Sequence, residues 1–131
     1  MIGIDTNVLI RHITADDPHQ SPIVQRLIDT LTPQHQSFIS LVVLVETYWT
    51  LRRRYGLPRE EADHTINALL SAAEYKIDEE DLVRAALAVA RETTLELPDI
   101  VISLRGKAVG CTTTYTFDKK ASELEGMTLL T

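Results

Sequence analysis

Short apolar runs alternate with amphipathic segments along the chain, and this alternation predicts strands and helices in turn. The predicted strands lie at residues 1–4, 37–40, 75–77, 112–116 and 127–130. Between them, apolar residues recur every three or four positions, which is the spacing of helices with one buried face. Strands that alternate with helices typically form a parallel sheet with helices on both faces. The pattern therefore predicts an α/β fold with a mainly parallel sheet.

Asp5 directly follows the first predicted strand and precedes a helix. The strand, residues 1–4, is short and lacks polar alternation, so we expect it to be buried and parallel. Thr6 or Asn7 is predicted to cap the helix. Ligands bind beyond the carboxyl ends of strands in open α/β sheets, so Asp5 is a candidate site residue. A lone Asp at this position more often only caps the helix.

Glu46 falls inside a long apolar pattern that predicts a helix over residues 41–54. It lies one turn from Val42 and three residues before Trp49, which places it on the predicted buried side. A buried, unpaired carboxylate is costly and needs a cation or strong donors. Glu46 is therefore a candidate ligand, and two alternatives stay open. It pairs with Arg53, or the helix is rotated so that Glu46 lies at the rim.

Two further aspartates occupy comparable positions in the second half of the chain. Pro98 suits the first turn of a helix, which puts Asp99 at the positive end of that helix. A favourable first-turn acid is the commoner explanation for such an Asp. Asp118 follows the predicted strand 112–116 and repeats the position of Asp5 relative to its strand.

These four acids form a candidate metal site if the strands before Asp5 and Asp118 are neighbours. Four adjacent carboxylates repel one another, and oxygen ligands of this kind select Mg²⁺ or Mn²⁺. Such a site can activate water against a phosphodiester. Asn7 and Thr116 could orient the carboxylates or the water, although capping and strand roles are more common for them. The histidines show no zinc-ligand spacing; they are His12, His19, His35 and His64.

The length of 131 residues and the 44% hydrophobic content fit a single domain over residues 1–131. No apolar stretch approaches the roughly 20 residues of a membrane span, and the start lacks the basic region and cleavage site of a signal peptide, so we expect a cytoplasmic protein. Cys111 is the only cysteine, which excludes a disulfide framework and a thiolate metal site. We expect it to be buried.

The net charge of −6 argues against binding nucleic acid by general attraction. The objection weakens if the acids share one cleft, because bound divalent cations would neutralise them there. The basic residues are also clustered, although such clusters are more often solvated helix faces. They are Arg52, Arg53 and Arg54 in one run, and Arg105, Lys107, Lys119 and Lys120 in a looser group.

Four short stretches, in order and spacing, resemble the PIN-domain ribonucleases, especially the VapC-type toxins of VapBC toxin–antitoxin pairs. They are Ile4-Asp5-Thr6-Asn7-Val8-Leu9, Val45-Glu46 to Leu51-Arg52-Arg53-Arg54-Tyr55-Gly56, the Asp99 helix, and Thr116-Phe117-Asp118. The resemblance covers essentially the whole chain. It departs from the usual pattern at Leu97-Pro98, where aromatic and small residues are more usual.

The resemblance implies a three-layer α/β/α sandwich and Mg²⁺- or Mn²⁺-dependent hydrolysis of single-stranded RNA. It implies that Asp5 and Asp99 are the principal metal ligands, that Glu46 and Asp118 complete the acidic cluster, and that Thr6 and Thr116 support it. Members of the family commonly form homodimers. A cognate antitoxin silences them by placing its tail in the active-site groove.

Our prediction is a metal-dependent endoribonuclease, the toxin of a toxin–antitoxin pair. The main alternative is a non-catalytic protein-binding module of related fold, in which the acids hold a structural cation or cap helices. A phosphorylated receiver domain is a weaker alternative, because the acceptor Asp on a middle strand and the later lysine are not evident. A nucleotide-binding fold is weaker still, since the five glycines form no phosphate loop.

Overall fold

Helices and strands alternate along the chain as the sequence predicts, and the computed structural model describes residues 1–131. The strands are β1 (Ile2–Gly3), β2 (Ser37–Ile39), β3 (Tyr75–Ile77), β4 (Thr114–Thr116) and β5 (Met127–Leu129). The α-helices are α1 (Thr6–Thr14), α2 (Gln20–Ile28), α3 (Leu41–Arg53), α4 (Arg59–Ser71), α5 (Glu80–Glu92) and α6 (Leu97–Ala108). A 3-10 turn, Ala121–Glu123, precedes β5. All strand pairs are parallel, which confirms the predicted α/β class.

The chain divides into two compact units, Met1–Glu80 and Asp81–Thr131. In the first unit, β1, β2 and β3 form one sheet in that order, with Ile2 opposite Ser37 and Ser37 opposite Tyr75. The fully buried apolar side chains of this unit include Leu9, Ile39, Tyr48 and Ile66. The prediction that the whole first strand is buried is wrong: Ile4 is buried, but Met1 at the chain end is 74% exposed.

The start of α3 is held by two side chains. The Ser40 hydroxyl accepts the Val43 N–H at 3.2 Å, which is the usual N-cap contact. Asp78, directly after β3, accepts the Leu41 N–H at 3.1 Å through Oδ2. Because Asp78 lies 37 positions along the chain, this contact ties the helix that carries Glu46 to the edge strand of the sheet.

In the second unit, β4 and β5 form a two-stranded parallel sheet, and α6 packs against β4. Gly106 permits this close packing, since a Cβ at that position would lie 2.8 Å from the Thr114 hydroxyl oxygen. Buried apolar residues of the unit include Val83, Leu95 and Ile100. The prediction that Cys111 is buried is wrong: it is a free, exposed thiol in the loop before β4.

No helix is both long and apolar enough to cross a membrane. The expectation of a single domain stays a prediction.

Candidate active site

Asp5 is the N-cap of α1 and lies directly beyond the end of β1. Its Oδ1 accepts the Val8 N–H at 3.1 Å, so the prediction that Thr6 or Asn7 caps this helix is wrong. The backbone of Asp5 is extended, as capping requires, and its side chain is exposed. Capping uses one carboxylate oxygen, which leaves Oδ2 accessible for a ligand.

A cavity of about 350 Å³ opens beside Asp5, between α1 and α2. The residues that line it include polar Asn7 and apolar Val8 and Val24. Arg11 also lines it, but the guanidinium is already engaged: Nε donates to Gln20 Oε1 at 2.8 Å and lies 3.8 Å from the Asp17 carboxylate. Of the predicted residues, the first unit therefore places Asp5 and Asn7 on one cavity. The remaining lining residues are His19, Gln20 and Ile23.

Glu46 lies on the exposed side of α3, so the prediction that it shares the buried side is wrong. The buried residues of α3 are Leu44, Thr47, Tyr48 and Leu51, and Val42, one turn before Glu46, is 67% exposed. The helix is rotated relative to our prediction, as one of the open alternatives allowed. A solvated carboxylate needs no buried partner, and it is free to reach a ligand at the surface.

Asp99 lies in the first turn of α6, as predicted, and follows the buried Pro98 at the helix start. Its carboxyl group is half-buried, and no side chain or backbone N–H of the protein donates a hydrogen bond to it. Burial raises the pKa of Asp99, and the nearby charges of Asp118 and Glu96 raise it further. The ionised form of Asp99 is therefore disfavoured where it stands, and a cation would stabilise it.

Asp118 follows β4 and holds the next turn of the chain much as Asp5 holds α1. Its Oδ1 accepts the backbone N–H groups of Lys120 at 2.9 Å and Ala121 at 3.1 Å. The Thr116 hydroxyl accepts the Asp118 backbone N–H at 3.0 Å. The Thr116 hydroxyl thus contacts the backbone that carries the carboxylate, and its supporting role in the site stays a prediction. Capping again occupies a single carboxylate oxygen.

Glu96 is a member of this acidic group that the sequence reasoning missed. It precedes α6 and is the third contributor to the raised pKa of Asp99, after burial and Asp118. The available signal was its position three residues before Asp99, one turn away along the chain. No set of three or more His, Cys, Asp or Glu side chains is arranged to hold a metal ion within either unit.

The second unit thus brings Asp99 near Asp118, while Asp5 and Glu46 belong to the first unit. The convergence of all four carboxylates stays a prediction, as do the supporting roles of Thr6 and Asn7.

Comparison with known proteins gives one family match. The model of the PIN domain matches residues 2–127. Among solved structures, the chain is similar to Mycobacterium tuberculosis VapC20, a sarcin–ricin loop cleaving toxin, with 23% identity, 94% of each chain covered and a TM-score of 0.48. It is also similar to a toxin–antitoxin complex from Klebsiella pneumoniae, with 20% identity, 98% of this chain and 96% of that chain covered, and a TM-score of 0.41. No curated protein matches the sequence.

Proposed function

Because the chain belongs to the PIN domain family, we propose that it is a metal-dependent endoribonuclease acting on single-stranded regions of RNA. The observation that carries the proposal is the environment of Asp99. This carboxyl group is half-buried, has no hydrogen-bond donor, and lies near two further acids. Such an arrangement disfavours the ionised group in the protein alone, which is expected where a divalent cation belongs.

The donor chemistry fits Mg²⁺ or Mn²⁺. All the candidate ligands are carboxylates, and hard cations prefer oxygen ligands. The proposed ligands are Asp99 and Asp118, together with Asp5 and Glu46. Asp5 and Asp118 each use only Oδ1 for capping, so each keeps an oxygen that can coordinate a cation.

A bound divalent cation supplies two effects at such a site: it lowers the pKa of water, and it neutralises charge on a phosphodiester under attack. The protein's contribution is to hold the ligands rigidly. The capping bond fixes Asp5 at the start of α1, and Thr116 fixes the backbone of Asp118. Water adds to phosphorus and the bond to the 3′ oxygen breaks, which leaves a 3′-hydroxyl and a 5′-phosphate.

The proposed biological role is that of a VapC-type toxin in a toxin–antitoxin pair. In this role the enzyme works on cytoplasmic RNA, forms a homodimer, and is silenced by a cognate antitoxin protein. Support comes from the family membership and from the four motifs that resemble VapC-type toxins. Growth arrest on expression, reversed by co-expression of the protein encoded beside it, tests this role separately from the nuclease activity.

Cleavage of a pool of structured RNAs tests the nuclease. The purified protein is incubated with Mg²⁺, with Mn²⁺ or with EDTA, and Asp99→Asn and Asp5→Asn variants are prepared in parallel. We expect cleavage that requires the cation and that falls in both variants by more than about 100-fold. Even residues that only support metal ligands contribute about 10- to 100-fold.

Cleavage that survives both substitutions would identify a contaminating nuclease, and cleavage by the protein in EDTA that both substitutions abolish would contradict the metal dependence. If the protein neither cleaves RNA nor binds divalent cations in calorimetry, the proposal fails in favour of the non-catalytic binding module.

A further inference from the structure

The two aromatic side chains of the second unit both lie within three residues before Asp118. Phe117 is 80% exposed and Tyr115 is 64% exposed. Exposing two large aromatic rings so close together forgoes the stabilisation that burial gives, and adjacent exposed apolar groups usually mark a binding surface. Neither ring is in contact with another aromatic ring or with a cation of the protein.

Tyr115 belongs to the open face of the β4–β5 sheet, and Phe117 follows directly after the end of β4. Adjacent side chains of a strand alternate between its two faces, so Tyr115 and Thr114 lie on opposite sides of the sheet. At the last residue of β4, the Leu130 N–H donates to the Thr116 carbonyl at 2.8 Å. The opposite face carries Thr114, which packs against α6 at Gly106. Helix α6 therefore covers one side of the sheet, and the aromatic side is open. Exposed Thr128, opposite Tyr115, lies on this side too.

The residues directly after Asp118 are cationic. Lys119 and Lys120 are both exposed, and neither forms an ion pair with an acid of the protein. The segment from 115 to 120 thus combines two stacking surfaces, a proposed metal ligand and two free ammonium groups. Aromatic rings next to lysines are the combination that binds single-stranded nucleic acid, because bases stack on the rings and phosphates meet the charges.

We propose that Tyr115 and Phe117 form a stacking platform for unpaired RNA bases next to the bond that is cut, with Lys119 and Lys120 contacting the flanking phosphates. This inference rests on the proposed function, since it places the platform beside the Asp118 carboxylate. It also explains how a protein with a net charge of −6 holds RNA: the attraction is local.

Both rings are exposed enough to receive unpaired bases, which stack on aromatic side chains. Paired bases inside a duplex are not available for such stacking, so the platform selects single-stranded regions.

Equilibrium binding of short single-stranded oligoribonucleotides tests the platform. A fluorescein-labelled strand is titrated with the full-length protein in Ca²⁺, and its anisotropy is measured. Because stacking on one aromatic ring contributes about 1–3 kcal/mol per base, Phe117→Leu should weaken binding by roughly 5- to 150-fold. Phe117→Trp, which keeps a ring, should retain the affinity. The matched control is Val109→Ala, which shortens another exposed apolar side chain of the same unit and should leave binding unchanged.

The lysines give a second readout. Plotting the logarithm of affinity against the logarithm of salt concentration gives a slope that reports the phosphates contacted, at about 0.7 per contact for single strands. Lys119→Ala should make that slope shallower by about this amount, whereas Phe117→Leu should leave it unchanged.

Several results would overturn the platform. The platform is rejected if Phe117→Leu and the unaltered protein bind RNA equally well. It is also rejected if the unaltered protein does not bind RNA. If Phe117→Leu instead converts a dimer to a monomer while RNA binding persists, the face is an interface between copies.

The cleavage assay in Mg²⁺ separates this proposal from the nuclease proposal. If Phe117→Leu still cleaves RNA in a cation-dependent way and binds RNA as tightly as the unaltered protein, the platform is rejected and the nuclease proposal is kept. If Phe117→Leu binds RNA more weakly than the unaltered protein, and the unaltered protein does not cleave RNA, the platform is kept and the nuclease proposal is rejected.

Discussion

The charge of Asp118 raises the pKa of Asp99, although the two residues are 19 positions apart in the sequence. Only burial of the Asp99 carboxyl group has a larger effect, and Glu96 adds a smaller one. Asp99 is therefore in an environment that opposes its own ionisation. This cost is the clearest physical signature of a functional group in the second unit.

Replacing Asp99 by Asn should stabilise the protein at neutral pH in the absence of divalent cations. The raised pKa means that the folded state holds the Asp99 proton more tightly than the unfolded chain does. The unaltered protein therefore loses stability as the pH rises from about 3.8 through the pKa of folded Asp99. Thermal unfolding in EDTA should show a higher Tm for Asp99→Asn at neutral pH and equal Tm values below that range. A lower Tm at neutral pH would contradict the assignment.

Asp16→Asn is the matched control, because the pKa of Asp16 is lowered whereas the pKa of Asp99 is raised. A hydrogen bond from the Thr14 hydroxyl lowers the pKa of Asp16. Ionised Asp16 thus adds stability above the pKa of the unfolded chain, and this stability is lost as the pH falls through the folded pKa. Asp16→Asn should lower the Tm at neutral pH, and the difference should disappear in acid.

Adding Mg²⁺ or Mn²⁺ should make the unaltered protein more stable than Asp99→Asn, which reverses their order in EDTA. A cation that binds only the folded protein contributes about 2.7 kcal/mol at a concentration 100-fold above its Kd. The unaltered protein and Asp16→Asn should both gain this stability, and Asp99→Asn should gain little. Differential scanning calorimetry with and without EDTA measures the effect. An equal gain in all three proteins would place the cation elsewhere.

Two substitutions at Asp5 should separate its capping role from its proposed ligand role. Asp5→Ala removes the bond to the Val8 N–H and should cost about 1 kcal/mol of unfolding free energy. Asp5→Asn keeps a capping oxygen, so its stability should stay close to that of the unaltered protein. Both variants should lose RNA cleavage. Denaturant unfolding and the cleavage assay measure the two effects, and full cleavage by Asp5→Asn would leave capping as its only role.

Glu46→Gln should change activity without changing stability. Glu46 is exposed on α3, and surface substitutions usually alter the unfolding free energy by less than about 0.5 kcal/mol. If Glu46 contributes to cation binding, its substitution weakens the affinity for Mn²⁺ in calorimetry. Unchanged Mn²⁺ affinity and cleavage would remove Glu46 from the site.

The order of helices and strands was predictable because the apolar periods differ so clearly between them. The rotation of α3 about its own axis was not predictable from the sequence. Its apolar residues surround the helix, so periodicity could not decide that Thr47 is buried while Val42 is exposed. Local composition was also misleading at Cys111, which lies in an exposed loop rather than in the strand that follows.

The positions of the candidate site residues were predictable from the sequence, whereas the raised pKa of Asp99 was not. A carboxylate after a strand or in the first turn of a helix is visible in the sequence, which is how Asp5, Asp99 and Asp118 were found. The raised pKa of Asp99 depends on burial and on Asp118, and both are properties of the folded chain.

The chemical ends of the RNA products test the central claim most directly. RNA cleaved by the protein in Mg²⁺ is analysed for its terminal groups, with an EDTA sample beside it. Hydrolysis at a carboxylate-held cation predicts 5′-phosphate and 3′-hydroxyl ends, and intact RNA in EDTA. Products ending in a 2′,3′-cyclic phosphate, formed equally in EDTA, would contradict the account, because they arise from attack by the RNA's own 2′-hydroxyl.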